Sequence, residues 1–152
     1  MNGLLYRQFR SVEELDAQYN LRAAVDDFDG YVAGYLARSE QTRQAPHCRI
    51  GLPYGRTLAE TFDLFLGPGT GTVVFIHGGY WHSSDSRMWR FVADGLVRAG
   101  MSVVVENYAL CPAVSMTEIV RQHRALIAHL HRNGAELGID RDRIVVAGHS
   151  AG

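Results

Sequence analysis

Apolar strands and amphipathic helices alternate along the second half of the sequence. Strands are predicted at residues 72–76, 102–105 and 144–147, each of them a mostly apolar run. Helices are predicted between these strands. One covers residues 85–99 and is stopped by Gly100, and the other runs from residue 115 to about residue 134, which is a glycine. Strands that are apolar on both faces and separated by helices are typical of a parallel sheet. We therefore predict an α/β fold, with a mostly parallel sheet and helices on both of its faces.

The first third of the sequence is predicted to be helical. Ser11 followed by Glu14 has the spacing of a capping box and predicts a helix over about residues 11–20. A second helix is predicted over about residues 26–43, with acidic residues in its first turn and arginines towards its end. This distribution of charge matches the sign of the helix dipole.

The helices and the sheet are predicted to be joined by a short connection. Residues 51–55 contain glycine and proline and are predicted to form it. Leucine and phenylalanine at even spacing over residues 58–66 then predict a half-exposed strand. We treat residues 1–152 as a single domain, with N-terminal helices at about 11–44 and a sheet core at about 57–152.

Charge and composition exclude several classes of partner and location. The 15 basic and 16 acidic side chains give a net charge of -1, which leaves no surplus for nucleic acid or for an anionic membrane surface. No run of about 18 apolar residues is present to span a membrane. The start of the chain lacks the pattern of a secretory signal, and two cysteines suggest no disulfide framework. We therefore expect a cytoplasmic protein.

A G-x-S-x-G pentapeptide follows the last predicted strand. It reads Gly-His-Ser-Ala-Gly over residues 148–152 and places Ser150 at a turn after the strand at 144–147. A serine hydroxyl is a weak nucleophile unless a tight turn presents it beside a base. The flanking glycines are expected because a side chain there would collide with neighbouring elements. Ser150 is thus the candidate catalytic nucleophile, and an ordinary strand-to-loop turn is the alternative.

A second motif, His-Gly-Gly-Tyr-Trp, occupies residues 77–81 directly after another buried strand. Glycines allow backbone N–H groups to turn towards a substrate carbonyl oxygen, whose negative charge grows during acyl transfer. We expect Gly79 and Tyr80 to supply two such donors and Ala151 to supply the one that follows the nucleophile. Together these residues are the candidate oxyanion hole, with Gly78 as a turn residue.

The aromatic and imidazole side chains near this motif have alternative roles. Trp81 and His82 are candidates for lining a substrate pocket, and packing beneath the loop is the alternative for Trp81. We interpret His77 as a structural residue, and His123, His129 and His131 of the last predicted helix as surface or dipole-compensating groups. No third ligand with suitable spacing accompanies His77 and His82, so no metal site is predicted.

The two motifs resemble those of the arylformamidase (kynurenine formamidase) and related carboxylesterase group of α/β-hydrolases. Further stretches similar to that group are Glu-Leu-Asp-Ala-Gln-Tyr-Asn at 14–20, Leu-Pro-Tyr-Gly at 52–55 and Asn-Tyr-Ala-Leu-Cys-Pro at 107–112. The resemblance implies an α/β-hydrolase fold and a serine hydrolase without a cofactor. Its substrate would be a small aryl formamide or carboxylic ester, attacked by Ser150 to form an acyl-enzyme.

The sequence departs from the pattern of this group after the nucleophile. In α/β-hydrolases the acid and the histidine of the triad follow the serine, whereas this sequence ends at Gly152. Asp140 and Asp142 precede the last strand and belong at the opposite end of the sheet from Ser150. We therefore expect an N-terminal part, truncated after the nucleophile and inactive by itself. A non-catalytic binding or assembly module is the alternative.

Overall fold

The computed structural model describes residues 5–69 and 71–152. Within them the helices are α1 (Val12–Tyr19), α2 (Leu21–Ala24), α3 (Phe28–Arg43), α4 (Ser86–Trp89), α5 (Val92–Arg98) and α6 (Met116–Leu137). The strands are β1 (Cys48–Pro53), β2 (Thr61–Phe65), β3 (Thr72–Ile76), β4 (Ser102–Glu106) and β5 (Ile144–Gly148). In this part of the chain no helix combines the length and the apolar character needed to cross a membrane.

The chain divides into two compact units, Met1–Gly34 and Tyr35–Gly152. In the first unit the Ser11 hydroxyl accepts the N–H of Glu14 at 3.2 Å, so the predicted N-cap of α1 is confirmed. The Glu14 carboxylate in turn accepts the N–H of Arg10 at 2.6 Å. The predicted second helix is also confirmed, as α3.

The second unit is built on a five-stranded sheet with the order β1-β2-β4-β3-β5. The strands β4, β3 and β5 are parallel to one another, as expected from the helices that connect them. The strand β2 runs antiparallel to both β1 and β4. The sheet is therefore parallel on the side that carries both motifs and antiparallel on the other.

Helices cover the two faces of this sheet, as predicted. On one face, α6 packs Leu126 and Leu130 against the buried side chains of Phe62, Leu64 and Val104. On the other face, residues of α4 and α5 pack against a second set of strand residues. That set consists of Phe65, Phe75, Val103 and Val105. The layered core fixes the strands whose carboxyl ends carry the motifs.

Two predictions for the start of the sheet are wrong. The segment predicted as a connection over 51–55 contains the end of β1, so the sheet begins earlier than residue 57. The strand predicted over 58–66 is shorter, because Leu58 is fully exposed and lies outside β2. It is also buried rather than half-exposed, because β2 lies between β1 and β4 with helices on both faces.

The single helix predicted over 85–99 is also wrong, since α4 and α5 are separated at Arg90 and Phe91. The hydroxyl of Ser39 accepts the N–H of Phe91 at 3.2 Å and donates to the carbonyl oxygen of Met88 at 2.8 Å. A side chain inserted in this way interrupts the helical hydrogen-bond ladder. The break also accompanies a buried ion pair between Arg90 and Asp63, with a separation of 2.7 Å.

The helix α6 extends past the predicted end near residue 134. Gly134 lies inside the helix, where a Cβ atom would be only 3.1 Å from the carbonyl oxygen of Ile139. The helix ends instead at Gly138, whose φ of 79° is the left-handed conformation that favours glycine at a C-terminus. Glycine at 134 therefore reflects the close approach of the following chain rather than a helix end.

The strand β5 forms one edge of the sheet and carries exposed apolar side chains. Val145 and Val146 are 56% and 51% exposed, and within the described residues β5 pairs only with β3. An exposed apolar edge is a template for pairing with another chain. We therefore expect a polypeptide limited to residues 1–152 to self-associate in size-exclusion chromatography, and Val145→Lys to shift it towards the monomer.

The matched control for this prediction is Val12→Lys, which changes a similarly exposed valine on α1. It is expected to leave the elution volume unchanged, because Val12 lies outside the sheet. A monodisperse monomer with a single cooperative urea transition in the unsubstituted polypeptide would contradict the prediction.

Candidate active site

Ser150 lies in a tight turn directly after β5. Its φ of 56° is in the left-handed region, which serine adopts rarely and which stores strain. The turn is closed by a hydrogen bond from the N–H of Gly152 to the carbonyl oxygen of His149, at 2.9 Å. The side chain of Ser150 is exposed. This conformation is the one expected of a nucleophile elbow.

The two glycines of the pentapeptide are required by close backbone contacts. A Cβ atom on Gly152 would overlap the carbonyl oxygen of Ile76 at the end of β3. A Cβ atom on Gly148 would overlap the carbonyl oxygen of Gly152 itself. The first contact is with the neighbouring strand, as predicted, whereas the second is internal to the turn.

The loop that follows β3 lies beside this turn. The N–H of His149 donates to the carbonyl oxygen of Ile76 at 3.1 Å, and Ile76 is paired with Gly148 in the sheet. A Cβ atom on Gly78 would lie 2.7 Å from the carbonyl oxygen of His149 and 2.9 Å from Cβ of Ser150. The two motifs therefore meet at the carboxyl ends of β3 and β5.

Three successive residues of the loop have left-handed backbone conformations. Their φ values are 116° for Gly79, 54° for Tyr80 and 59° for Trp81. The carbonyl oxygen of Gly79 accepts the N–H groups of His82 and Ser83, at 3.1 and 3.0 Å, and the Ser83 hydroxyl at 2.8 Å. A non-glycine residue in this region costs about 1–3 kcal/mol, so the surrounding contacts must hold the loop in place.

The N–H groups of the candidate oxyanion donors have no hydrogen-bond acceptor in the described part of the chain. Within residues 5–69 and 71–152, nothing accepts a hydrogen bond from the N–H groups of Gly79, Tyr80 or Ala151. All three belong to the two segments that meet around Ser150. Their assignment as an oxyanion hole stays a prediction.

His77 is fully buried beneath the loop, with its ring stacked on that of Tyr108 at 4.4 Å. Its Nδ1 lies 2.7 Å from the carbonyl oxygen of Gly78, which fits a neutral ring that donates from Nδ1. Burial lowers the pKa of His77 and so favours this neutral form. These contacts agree with a structural role in holding the loop.

Tyr108 also holds the loop, and sequence reasoning gave it no role. Its hydroxyl donates to the carbonyl oxygen of His77 at 2.6 Å. Burial, and then the charge of Glu106, raise the pKa of Tyr108 to about 12, so the hydroxyl remains a donor at neutral pH. The sequence contains no signal for this contact, because Tyr108 follows a different strand, β4.

The pocket candidates differ in their surroundings. Trp81 is half-buried and packs with Ile76, Tyr108 and Ile119, so the packing alternative is observed. Tyr80 is 74% exposed, and its ring lies 5.5 Å from that of Trp81 and 5.7 Å from that of His82. The lining of a substrate pocket by Trp81 and His82 stays a prediction.

The interpretation of His123 as a surface group is wrong. Its side chain is 20% exposed, and its Nδ1 lies 2.9 Å from the buried carboxylate of Glu106. The hydroxyl of Tyr54 donates to the other oxygen of that carboxylate at 3.1 Å. Because Glu106 has no access to solvent, these partners satisfy its oxygens inside the core.

No cluster of three potential metal ligands occurs in the described part of the chain.

Comparison with known proteins places these features in a family. The BD-FAE family model matches residues 66–152, more than half of the chain. A kynurenine formamidase from Danio rerio is 28% identical over 93% of this chain and 50% of its own length. The chain therefore spans about half the length of this relative.

Solved structures support the same fold. The crystal structure of a protein provisionally described as a thioesterase, from Silicibacter sp. tm1040, is 36% identical. It has a TM-score of 0.79, over 91% of this chain and 52% of its own. Esterase B from Lactobacillus rhamnosis is 24% identical, with a TM-score of 0.68 over 93% of this chain and 47% of its own. The predicted α/β-hydrolase fold is confirmed.

Proposed function

We propose that this chain, which belongs to the BD-FAE family and to the arylformamidase and esterase group of α/β-hydrolases, supplies the nucleophile and oxyanion hole of a serine hydrolase. The observation that carries the proposal is the contact between the two motifs. Gly78 packs so closely on His149 and Ser150 that a single methyl group would not fit. The strained, exposed backbone turn at Ser150 and the N–H groups of the adjoining segments, for which the described residues offer no acceptor, support the proposal.

The proposed reaction begins when Ser150 Oγ attacks the carbonyl carbon of the substrate. The carbonyl π electrons move to oxygen, and the N–H groups of Gly79, Tyr80 and Ala151 stabilise the resulting negative charge. One such donor contributes about 3 kcal/mol to transition-state stabilisation. Collapse of the intermediate expels the amine or alcohol and leaves an acyl group on Ser150, which water then removes.

A general base must take the proton from Ser150 Oγ and later return it to the leaving group. In α/β-hydrolases the histidine and the acid that do this follow the serine in the chain. The pair of Glu106 and His123 is satisfied inside the core by Tyr54 and is not assigned this role. A polypeptide limited to residues 1–152 is therefore proposed to be inactive by itself.

The substrate is proposed to be a small aryl formamide or carboxylic ester, without a cofactor. The similarity to a kynurenine formamidase supports a formamide substrate. The similarity to an esterase structure supports a fold that is compatible with an ester substrate. In the loop whose Gly78 packs on the elbow, Tyr80 and Trp81 supply aromatic surface and His82 a polar group. An aryl leaving group would pack on these rings.

The test compares N-formylkynurenine with an aryl acetate in the protein at the natural length that its gene encodes. We expect Ser150-dependent hydrolysis of at least one of them, with kcat/KM of about 10⁴ M⁻¹s⁻¹ or more. The polypeptide of residues 1–152 should be no faster than its Ser150→Ala variant. Without the base, substrate binding and the oxyanion donors together would accelerate hydrolysis at most roughly 10³-fold over the reaction in water.

Four outcomes of this test separate the substrates from each other and the proposal from its alternatives. Release of formate with little ester cleavage would assign the formamide, and the reverse would assign the ester. Natural-length protein that is folded but hydrolyses neither substrate would contradict the proposal and favour a non-catalytic binding module. Fast Ser150-dependent turnover by residues 1–152 alone would contradict the assignment of the base to a later segment.

A further inference from the structure

Trp89 of α4 touches both segments of the candidate active site. Its indole N–H donates to the hydroxyl of Ser84 at 2.7 Å, and Ser84 directly follows Ser83, whose N–H closes the turn that begins at Gly79. On its other side the indole ring lies 4.9 Å from the ring of His149, at an angle of 42°. His149 immediately precedes Ser150. We call residues 79–83 the oxyanion turn, because they include the candidate donors Gly79 and Tyr80. A single side chain thus connects the residue that follows this turn to the nucleophile elbow.

The indole ring of Trp89 belongs to an aromatic cluster and contacts the sheet through Phe75. Its ring centroid lies 5.7 Å from that of Phe75, 5.9 Å from that of Tyr35 and 6.1 Å from that of Phe91. Tyr35 and Phe91 are also stacked on each other at 4.9 Å. Because Phe75 belongs to β3, the indole ring is fixed relative to the sheet.

Both segments that Trp89 touches contain strained residues. Ser84 has a φ of 78° and Ser150 a φ of 56°, left-handed conformations that persist only where surrounding contacts fix them. The backbone of His149 is tied to β3 through Ile76, whereas its side chain is tied to α4 through Trp89. The elbow is therefore held from two directions.

We propose that Trp89 is a positioning residue of the hydrolytic reaction, a role that rests on the function proposed above. By holding the ring of His149 and the hydroxyl of Ser84, Trp89 sets the distance between Ser150 Oγ and the N–H groups of the oxyanion turn. Attack on a carbonyl requires these groups within a few tenths of an ångström of their places, and a misplacement of 1 Å can cost about 100-fold in rate.

The test uses Trp89→Leu in the natural-length protein. It should lower kcat roughly 10- to 100-fold and leave KM nearly unchanged, because the substrate-binding groups remain but their alignment with Ser150 is lost. Trp89→Phe, which keeps a ring against His149 but loses the N–H, should recover part of kcat. The extent of this recovery measures how much of kcat depends on the ring contact with His149 and how much on the hydrogen bond to Ser84.

The matched control is Phe91→Leu, which alters the same aromatic cluster at a residue without a ring contact to His149. Both leucine variants should lose unfolding free energy in urea, but Phe91→Leu should retain kcat. An NMR measurement reports the contact directly, since the ring protons of His149 should lose their upfield ring-current shift in Trp89→Leu and keep it in Phe91→Leu.

The outcomes distinguish this proposal from the proposed function. Equal losses of kcat in Trp89→Leu and Phe91→Leu would reduce Trp89 to a core residue and overturn the proposal. An unchanged kcat in Trp89→Leu, with the His149 shift lost, would overturn it as well. Absence of Ser150-dependent turnover in the unsubstituted protein, measured against Ser150→Ala alone, would overturn the proposed function and this proposal together.

Discussion

Replacing Gly78 by alanine is expected to lower kcat of the natural-length protein by about 100-fold, the cost of moving reacting groups by about 1 Å. The added methyl group would lie 2.7 Å from the carbonyl oxygen of His149 and 2.9 Å from Cβ of Ser150. Real Cβ atoms essentially never approach other atoms so closely, and both neighbours belong to the elbow. The loop and the elbow must therefore separate.

The effect of Gly78→Ala can be assigned to this contact alone. Gly78 is not among the residues with a positive φ, so alanine can adopt its backbone conformation without strain. Oxyanion donors that have shifted relative to Ser150 should lower kcat more than they raise KM, because they act on charge that develops in the transition state. The measurement is steady-state kinetics with the better of the two substrates, together with urea unfolding.

Gly95→Ala is the matched control for this substitution. Gly95 lies in α5 with nothing within 4 Å of the position of a Cβ atom, so the same change meets no obstacle there. It should leave kcat unchanged and add roughly 0.5–1 kcal/mol to the free energy of unfolding, because alanine favours a helix over glycine. Gly78→Ala with full activity would contradict the close apposition of the two motifs.

Local signals in the sequence predicted the elements that nearby residues mark. The N-cap at Ser11 and the turn at Ser150 depend on neighbours within a few residues, and each strand of the second half is marked by its own apolar run. The residue types alone, such as an apolar run followed by G-x-S-x-G, carry the necessary information. The meeting of the two motifs also follows, because parallel strands end at the same edge of a sheet.

The features that were not predicted depend on partners far along the chain. The strand β1 exists because it pairs with β2, and the helix break at Phe91 exists because Ser39 reaches it from α3. The contact of Tyr108 with His77 and that of Trp89 with His149 likewise join residues about 30 and 60 positions apart. Neither periodicity nor turn chemistry encodes such contacts, since tertiary packing overrides local preference.

Ser150→Ala is expected to abolish covalent labelling of the protein by a fluorophosphonate. A fluorophosphonate reacts with an activated serine when the oxyanion hole receives its phosphoryl oxygen, and the serine oxygen displaces fluoride to form a stable phosphonyl ester. Surface serines lack both a base and preorganised donors and should not react at the same rate. Ser83 lies four residues from Gly79 in the same turn, so Ser83→Ala serves as a nearby control and should still label.

Intact-mass and peptide mass spectrometry of the natural-length protein after fluorophosphonate treatment is the most direct test of Ser150 as the nucleophile. The account predicts one adduct per chain, located on the peptide that contains Ser150, lost in Ser150→Ala and slowed in Gly78→Ala. No adduct on folded protein, or an adduct that persists on another residue in Ser150→Ala, would contradict it.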